Sequence, residues 1–310
     1  MKKRKKILVV LGGTSKERKV SIATGKACSK ALKSMGYIVN EFDPQKKNFN
    51  LIDKKKVDII FNALHGKDGE DGVAQSFFEY LRIPYTHSGV VSSMNAMDKA
   101  ISKEIFIKNK ILTPKYIVIK KNRLKKINII KNIKKKKITF PIVIKPVNEG
   151  SSIGVKIVKN AKELKIKINF LFSKYDHLII EQFIGGQEIQ VAVMANKSLG
   201  AIELRPKRKF YDYKAKYLKS AKTDHVMPAE ISKKKYKEVN KIAEKTHKAL
   251  NCKGITRSDF KFYKNKFFIL EINTQPGMTD LSLVPEIAKY NNISFKDLVK
   301  KMIKDASLNR

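Results

Sequence analysis

Apolar positions in the first hundred residues follow two different periods. Residues 7–11 form an unbroken apolar run, read as a strand buried on both faces. Val20, Ala23, Ala27, Ala31, Leu32 and Met35 then recur at helical spacing until Gly36 stops them. Residues 37–42 and 57–64 read as further strands and 72–81 as a helix. Strands alternating with helices predict an α/β unit built on a doubly wound parallel sheet, whose ligands gather at the carboxyl ends of the strands. Two polar, glycine-bearing loops fall there: Gly12-Gly-Thr-Ser-Lys-Glu17 and His65-Gly-Lys-Asp-Gly-Glu-Asp-Gly72.

A second unit starts near Met97-Asp98-Lys99, with a helix to about Asn109 and strands over 116–119, 142–145 and 178–184. The loop Asn148-Glu-Gly150-Ser151-Ser152-Ile-Gly154 lacks the terminal Lys-Ser/Thr of a Walker A loop, so it is not a P-loop. Its amides and hydroxyls can still cover phosphates. Lys99 and Lys145 are candidate phosphate contacts, although in a chain this rich in lysine each alone is as readily a surface residue. Glu181, in an apolar strand that runs into Gly185-Gly186 and Glu188, points to a nucleotide base and ribose contact; the plainer alternative is an edge-strand carboxylate.

The third unit reads as antiparallel sheet plus helix, α+β in character, with strands over 189–195 and 201–205 and a charged aromatic loop over 210–217. An amphipathic helix over 233–250 turns Tyr236, Val239, Ile242 and Ala243 inward. A hairpin follows. Arg257 and Asp259 share one face of its first strand, Phe260 and Phe262 the other. On the second strand Glu271 and Asn273 oppose Phe268, Leu270 and Ile272. A three-residue loop at 264–266 would set Asp259 across from Glu271 and Arg257 across from Asn273. Opposed carboxylates repel unless a cation sits between them, and an all-oxygen set of Asp, Glu and Asn favours Mg²⁺ or Mn²⁺ over zinc. Taken alone, a hairpin of this kind reads first as a solvated acidic face. The polar, turn-rich segment that follows, Thr274 to Pro285, favours a site, and Gly277 in it permits close backbone approach.

Composition changes little of this. The formal net charge is +39, but lysine is spread over nearly every segment and no basic and aromatic residues interleave as an RNA-binding strand pair requires. No nucleic-acid partner is expected, and none of the apolar runs is long enough for membrane insertion. Cys28 and Cys252 offer no disulfide framework, consistent with a cytoplasmic protein.

Taken in order, Gly-Gly-Thr-Ser-Lys-Glu17, His65-Gly-Lys-Asp-Gly-Glu-Asp-Gly, Met97-Asp-Lys99, Lys145-Pro, Glu-Gly-Ser151-Ser, Phe-Tyr-Asp-Tyr-Lys-Ala-Lys216-Tyr217, Arg257-Ser-Asp259 and Glu271-Ile-Asn273-Thr-Gln-Pro-Gly277-Met-Thr resemble the D-alanine:D-alanine ligases of the ATP-grasp superfamily, almost end to end. The resemblance implies a Rossmann-like substrate domain over 1–97 and two ATP-grasp subdomains, over 98–185 and 186–310. It implies ATP held by Lys99, Lys145, Glu181 and Glu188, with two Mg²⁺ (or Mn²⁺) on Asp259, Glu271 and Asn273. D-alanine is the implied substrate. Glu17, locked by Ser151 and Tyr217, would pair with the first ammonium, and Arg257 with the Gly277 amide would meet the oxyanion. Ser282 and Leu283 would face the second carboxylate, with His65 and Lys216 as further substrate contacts. A cytoplasmic homodimer is expected. Lys214, where the family commonly has Glu, and Asp280-Leu281 depart from the pattern beside the pocket. Tyr217 favours an amine nucleophile, since depsipeptide-forming relatives carry Phe in that loop. The alternatives are a ligase using D-lactate or D-serine, or a basic nucleic-acid-binding protein on an inactive fold.

Overall fold

The computed structural model describes residues 4–206, 223–279 and 282–310. Strand β1 (Lys6–Val10) lies between β2 (Ile38–Phe42) and β3 (Ile59–Asn62), all parallel, and α1 (Arg18–Ser34) makes the first crossover. The first apolar run is continuous because successive side chains enter different cores. Ile7 and Val9 join Ala31 and Leu32 of α1 in one cluster, whereas Leu8 and Val10 join Ala74 and Phe78 of α2 (Val73–Tyr80) in another. Helices α3 (Val90–Met97) and α4 (Lys99–Lys108) lead out of this layer. Asp98 caps α4, accepting from the amides of Ala100 and Ile101 at 2.9 Å each, which makes Lys99 the first helical residue.

The second layer holds β4 (Tyr116–Lys120), α5 (Ile129–Lys135), β5 (Ile142–Pro146), β6 (Lys156–Val158), α6 (Ala161–Phe172) and β7 (His177–Gln182). Its antiparallel order is β4-β7-β5-β6. Leu178 and Ile180 pack with α5 and α6, so Glu181, one residue on, turns to the opposite face. β7 is an inner strand, which removes the edge-strand reading of Glu181.

The third layer comprises β8 (Gln187–Met194), β9 (Lys197–Pro206), β10 (Thr223–Val226), α7 (Lys233–Ala249), β11 (Ile255–Tyr263) and β12 (Lys266–Asn273), in sheet order β10-β9-β8-β11-β12. One face packs on α7 through Val239 and Ala243, with Tyr236 and Ile242 partly buried beside them. From the other face Ala192, Ile202 and Leu204 join β1, α1, α8 (Leu283–Tyr290) and α9 (Phe295–Asp305) in a single cluster.

The hairpin differs from expectation in its loop but not in its register at the site. Tyr263 pairs with Lys266, so the loop is the two residues Lys264 and Asn265, both left-handed at φ 46° and 61°. A bulge between Asp259 and Phe260 skips Leu270 and restores the pairs Asp259–Glu271 and Arg257–Asn273. The bulge also shifts the faces. Phe267, Ile269 and Ile272 are buried, while Phe268 and Leu270 are only half-buried and Leu270 lines a cleft beside Glu271.

Candidate active site

The site face of β7 looks across a cleft to the site face of β11 and β12. Lys99, Lys145, Glu181, Glu188, Asp259 and Glu271 all line it, so six of the residues singled out in the sequence converge there. Glu181 is 3% exposed and is gripped by Lys145, whose Nζ lies 2.6 Å from Oε1, and by Lys103, 3.0 Å from Oε2. Burial raises the Glu181 carboxyl, but the two lysines outweigh it and hold it below the usual carboxylate range. Lys145 is correspondingly raised, because Glu181, Glu271 and Asp259 more than offset its burial. Glu188 pairs with Lys261 at 3.0 Å.

Arg257 forks onto Asp259, with Nε 2.8 Å from Oδ1 and Nη2 3.1 Å from Oδ2. Glu271 lies 3.4 Å from Lys99 Nζ, which also donates to the Glu149 carbonyl at 2.6 Å. Asn273 Oδ1 accepts from the Gln275 amide at 2.7 Å. Two opposed carboxylates and an amide oxygen suit a hard divalent ion that keeps water and phosphate oxygens as its other ligands. Among the described residues no group of three or more His, Cys, Asp or Glu could hold a metal ion.

The loop after β5 joins this cleft to a second cluster. Ser151 and Ser152 adopt left-handed backbone at φ 49° and 59°, a conformation that L-residues hold only when the surroundings enforce it. The turn aims Glu149 and Ser152 into the cleft and brings Ser151 Oγ onto Glu17 Oε1, to which it donates. Glu17 is 7% exposed, and glycines crowd it: a β-carbon at Gly150 would stand 3.0 Å from Oε2, and one at Gly66 2.8 Å. Lys16 reinforces the junction, donating to Glu149 Oε1 at 2.6 Å.

His65 is buried, with Nδ1 2.9 Å from Glu70 Oε1 and Nε2 3.1 Å from Thr24 Oγ1. Thr24 Oγ1 also accepts from the Met278 amide at 3.2 Å, tying His65 to the segment that carries Gly277. A β-carbon at Gly277 would lie 2.9 Å from Ser282 Oγ, so a larger residue there would displace that hydroxyl. The Ser282 hydroxyl accepts from the Thr279 amide at 3.0 Å, and Leu283 opens α8, where first-turn amides lack intrahelical acceptors. Lys214, Lys216, Tyr217, Asp280 and Leu281 lie outside the described residues.

Three contributors went unnoticed in the sequence. Gln275 donates to the Leu64 carbonyl and accepts from Asn62 Nδ2 at 2.8 Å, pinning the segment after β12 to the end of β3. Lys103 follows Lys99 by one helical turn, a spacing that places both on one face. The Glu70 partner of His65 stood in the same loop.

Comparison with known proteins agrees with this geometry. The family model for the D-ala D-ala ligase C-terminus matches residues 105–304, and that for the N-terminus matches 39–88. The chain is 56% identical to a D-alanine–D-alanine ligase of Pelagibacter ubique over 99% of both chains. Its fold is similar to that of a Bacillus anthracis D-alanine–D-alanine ligase complexed with ATP (TM-score 0.85, 33% identity, 97% of both chains). It is also similar to a D-Ala:D-Ser ligase from Enterococcus faecalis (TM-score 0.85, 27% identity, 97% of this chain and 99% of that one). A bulge-corrected register that opposes two carboxylates, a lysine-lined cleft behind it and matches over nearly the whole length lead to one conclusion: the chain belongs to the D-alanine–D-alanine ligase family, on the ATP-grasp fold.

Proposed function

We propose that this enzyme joins two D-alanine molecules into D-alanyl-D-alanine for peptidoglycan synthesis, with ATP converted to ADP and phosphate. The observation that carries the reading is the junction at the loop after β5, where the lysine and acid cleft and the Glu17–Ser151 pair meet. A carboxylate acylates poorly, so an oxygen of the first D-alanine takes the γ-phosphoryl group of ATP to become an acyl phosphate. Lys99 and Lys145 neutralise and position the phosphates, and Glu188 holds the ribose. Glu17 pairs with the first ammonium, oriented by Ser151 and by Tyr217, while Lys216 adds a substrate contact and His65, its ring nitrogens held by Glu70 and Thr24, braces the segment that carries Gly277. The amine of the second D-alanine attacks the acyl carbon, Arg257 and the Gly277 amide receive the oxyanion, and phosphate leaves. Ser282 and the Leu283 amide hold the second carboxylate. Asp259, Glu271 and Asn273 would hold two Mg²⁺ or Mn²⁺, which supply charge neutralisation at the transferring phosphoryl group.

The same reading places residues 1–97 as the substrate unit and 98–185 with 186–310 as the two jaws on ATP. We place the enzyme in the cytoplasm, where ATP is available and where its two cysteines, both free and buried, stay reduced. A homodimer is supported by the apolar stripe Val73, Phe77 and Tyr80 on α2, the last 84% exposed, which light scattering of the purified chain tests. The function itself is tested by phosphate release from Mg·ATP with a panel of D- and L-amino acids and D-lactate. Release that depends on D-alanine and yields the dipeptide is expected. A D-alanyl-D-serine or D-alanyl-D-lactate product would overturn the second-substrate assignment. A salt-steep nucleic-acid gel shift without ATP turnover would overturn the reading as a whole.

A further inference from the structure

Lys103 is 0% exposed, lies behind the cleft wall and has no part in the chemistry above. Glu181 therefore carries two ammonium groups where one would neutralise it. The two lysines are not equivalent. Lys145 lines the cleft, whereas Lys103 is anchored from behind: its Nζ donates to Thr113 Oγ1 at 2.7 Å, and that hydroxyl donates to the Ile269 carbonyl of β12 at 2.8 Å. The same Nζ stands 3.0 Å from Glu181 Oε2. Burial draws the Lys103 ammonium down to about 8, which still leaves it charged at neutral pH.

We propose that Lys103 is a positioning residue for nucleotide binding: it keeps Glu181 paired when Lys145 turns from that carboxylate to a phosphate. Without it, Lys145 could reach the nucleotide only by leaving a buried carboxylate unpaired. Anchoring through Thr113 and Ile269 also fixes β7 of one jaw against β12 of the other, which sets the width of the cleft. The inference rests on the reading of this cleft as the ATP site.

The test is a double-mutant cycle on binding of a non-hydrolysable ATP analogue with Mg²⁺, measured by calorimetry without D-alanine. Lys103→Met weakens binding on the order of tenfold and leaves half-saturation by D-alanine, at saturating ATP, within about twofold. In a Glu181→Gln background the same substitution adds little further loss, because the carboxylate it protects is gone. Thr113→Val, which loosens the anchor without removing charge, weakens the analogue by a smaller factor and decides the matter should Lys103→Met not fold. Losses that add in the double variant, equal effects on ATP and D-alanine, or unchanged affinity in Thr113→Val would each overturn the proposal. Failure of the unaltered enzyme to bind the analogue would overturn the ATP assignment of the cleft as well.

Discussion

Arg257→Lys separates an oxyanion donor from a phosphate ligand. The guanidinium makes two parallel bonds, at 2.8 and 3.1 Å, to a carboxylate whose side chain is 7% exposed. A planar guanidinium that engages Asp259 through Nε and Nη2 keeps its remaining N–H groups in a fixed plane. Lysine keeps the charge but offers a single point of contact on a flexible stem. Loss of one donor aimed at a developing oxyanion typically removes about 3 kcal/mol of transition-state stabilisation, a factor of roughly a hundred in rate. Steady-state kinetics at saturating D-alanine should therefore show kcat lower by about two orders of magnitude, with KM for ATP changed by no more than about threefold. The thermal midpoint should move little, since the single lysine bond keeps Asp259 neutralised. A normal kcat with a raised KM for ATP would instead make Arg257 a phosphate ligand.

Gly150→Ala should raise half-saturation by D-alanine about tenfold with ATP affinity unchanged, because the new methyl stands 3.0 Å from Glu17 Oε2 on a backbone that alanine accepts; equal effects on both substrates would count against it. Glu271→Gln should lower D-alanine-dependent phosphate release by at least about a hundredfold with the fold intact, and near-normal turnover at saturating Mg²⁺ would remove Glu271 from the metal site. Burial holds the imidazoles of His87 and His247 down to about 3 and about 4. On acidification the unfolded chain binds protons near pH 6.5 that the folded one refuses, so stability falls as pH drops from 7 toward 4, by about 2 kcal/mol per histidine at pH 5. His247→Gln should flatten that decline in thermal melts between pH 7 and 5, and an unchanged slope would contradict the assignment.

The layer order and the site register were legible in the sequence, for different reasons. A continuous apolar run and helical spacing record burial directly, so β1, α1 and α7 stand where the apolar positions put them. The hairpin register was reached through a loop one residue too long, which the unforeseen bulge at Leu270 compensates. A bulge leaves no mark in an apolar run, and the burial of Ile269 in place of Leu270 was invisible for the same cause. Lys103 carried the right spacing from Lys99, but so lysine-rich a composition masks any single lysine. Pairs such as Asn62 with Gln275, 213 residues apart, are made by the packing of the first sheet on the third and have no local trace. The left-handed turn at Ser151 and Ser152 likewise depends on what surrounds it.

On the proposed mechanism a carboxylate oxygen of D-alanine passes to phosphate through an acyl phosphate. D-alanine labelled with oxygen-18 in its carboxylate, incubated with the enzyme and Mg·ATP, tests it most directly, with released phosphate and dipeptide both read by mass spectrometry. One labelled oxygen is expected in each phosphate released, with one label retained in the new amide carbonyl of the dipeptide. Unlabelled phosphate, with dipeptide still formed, would contradict it.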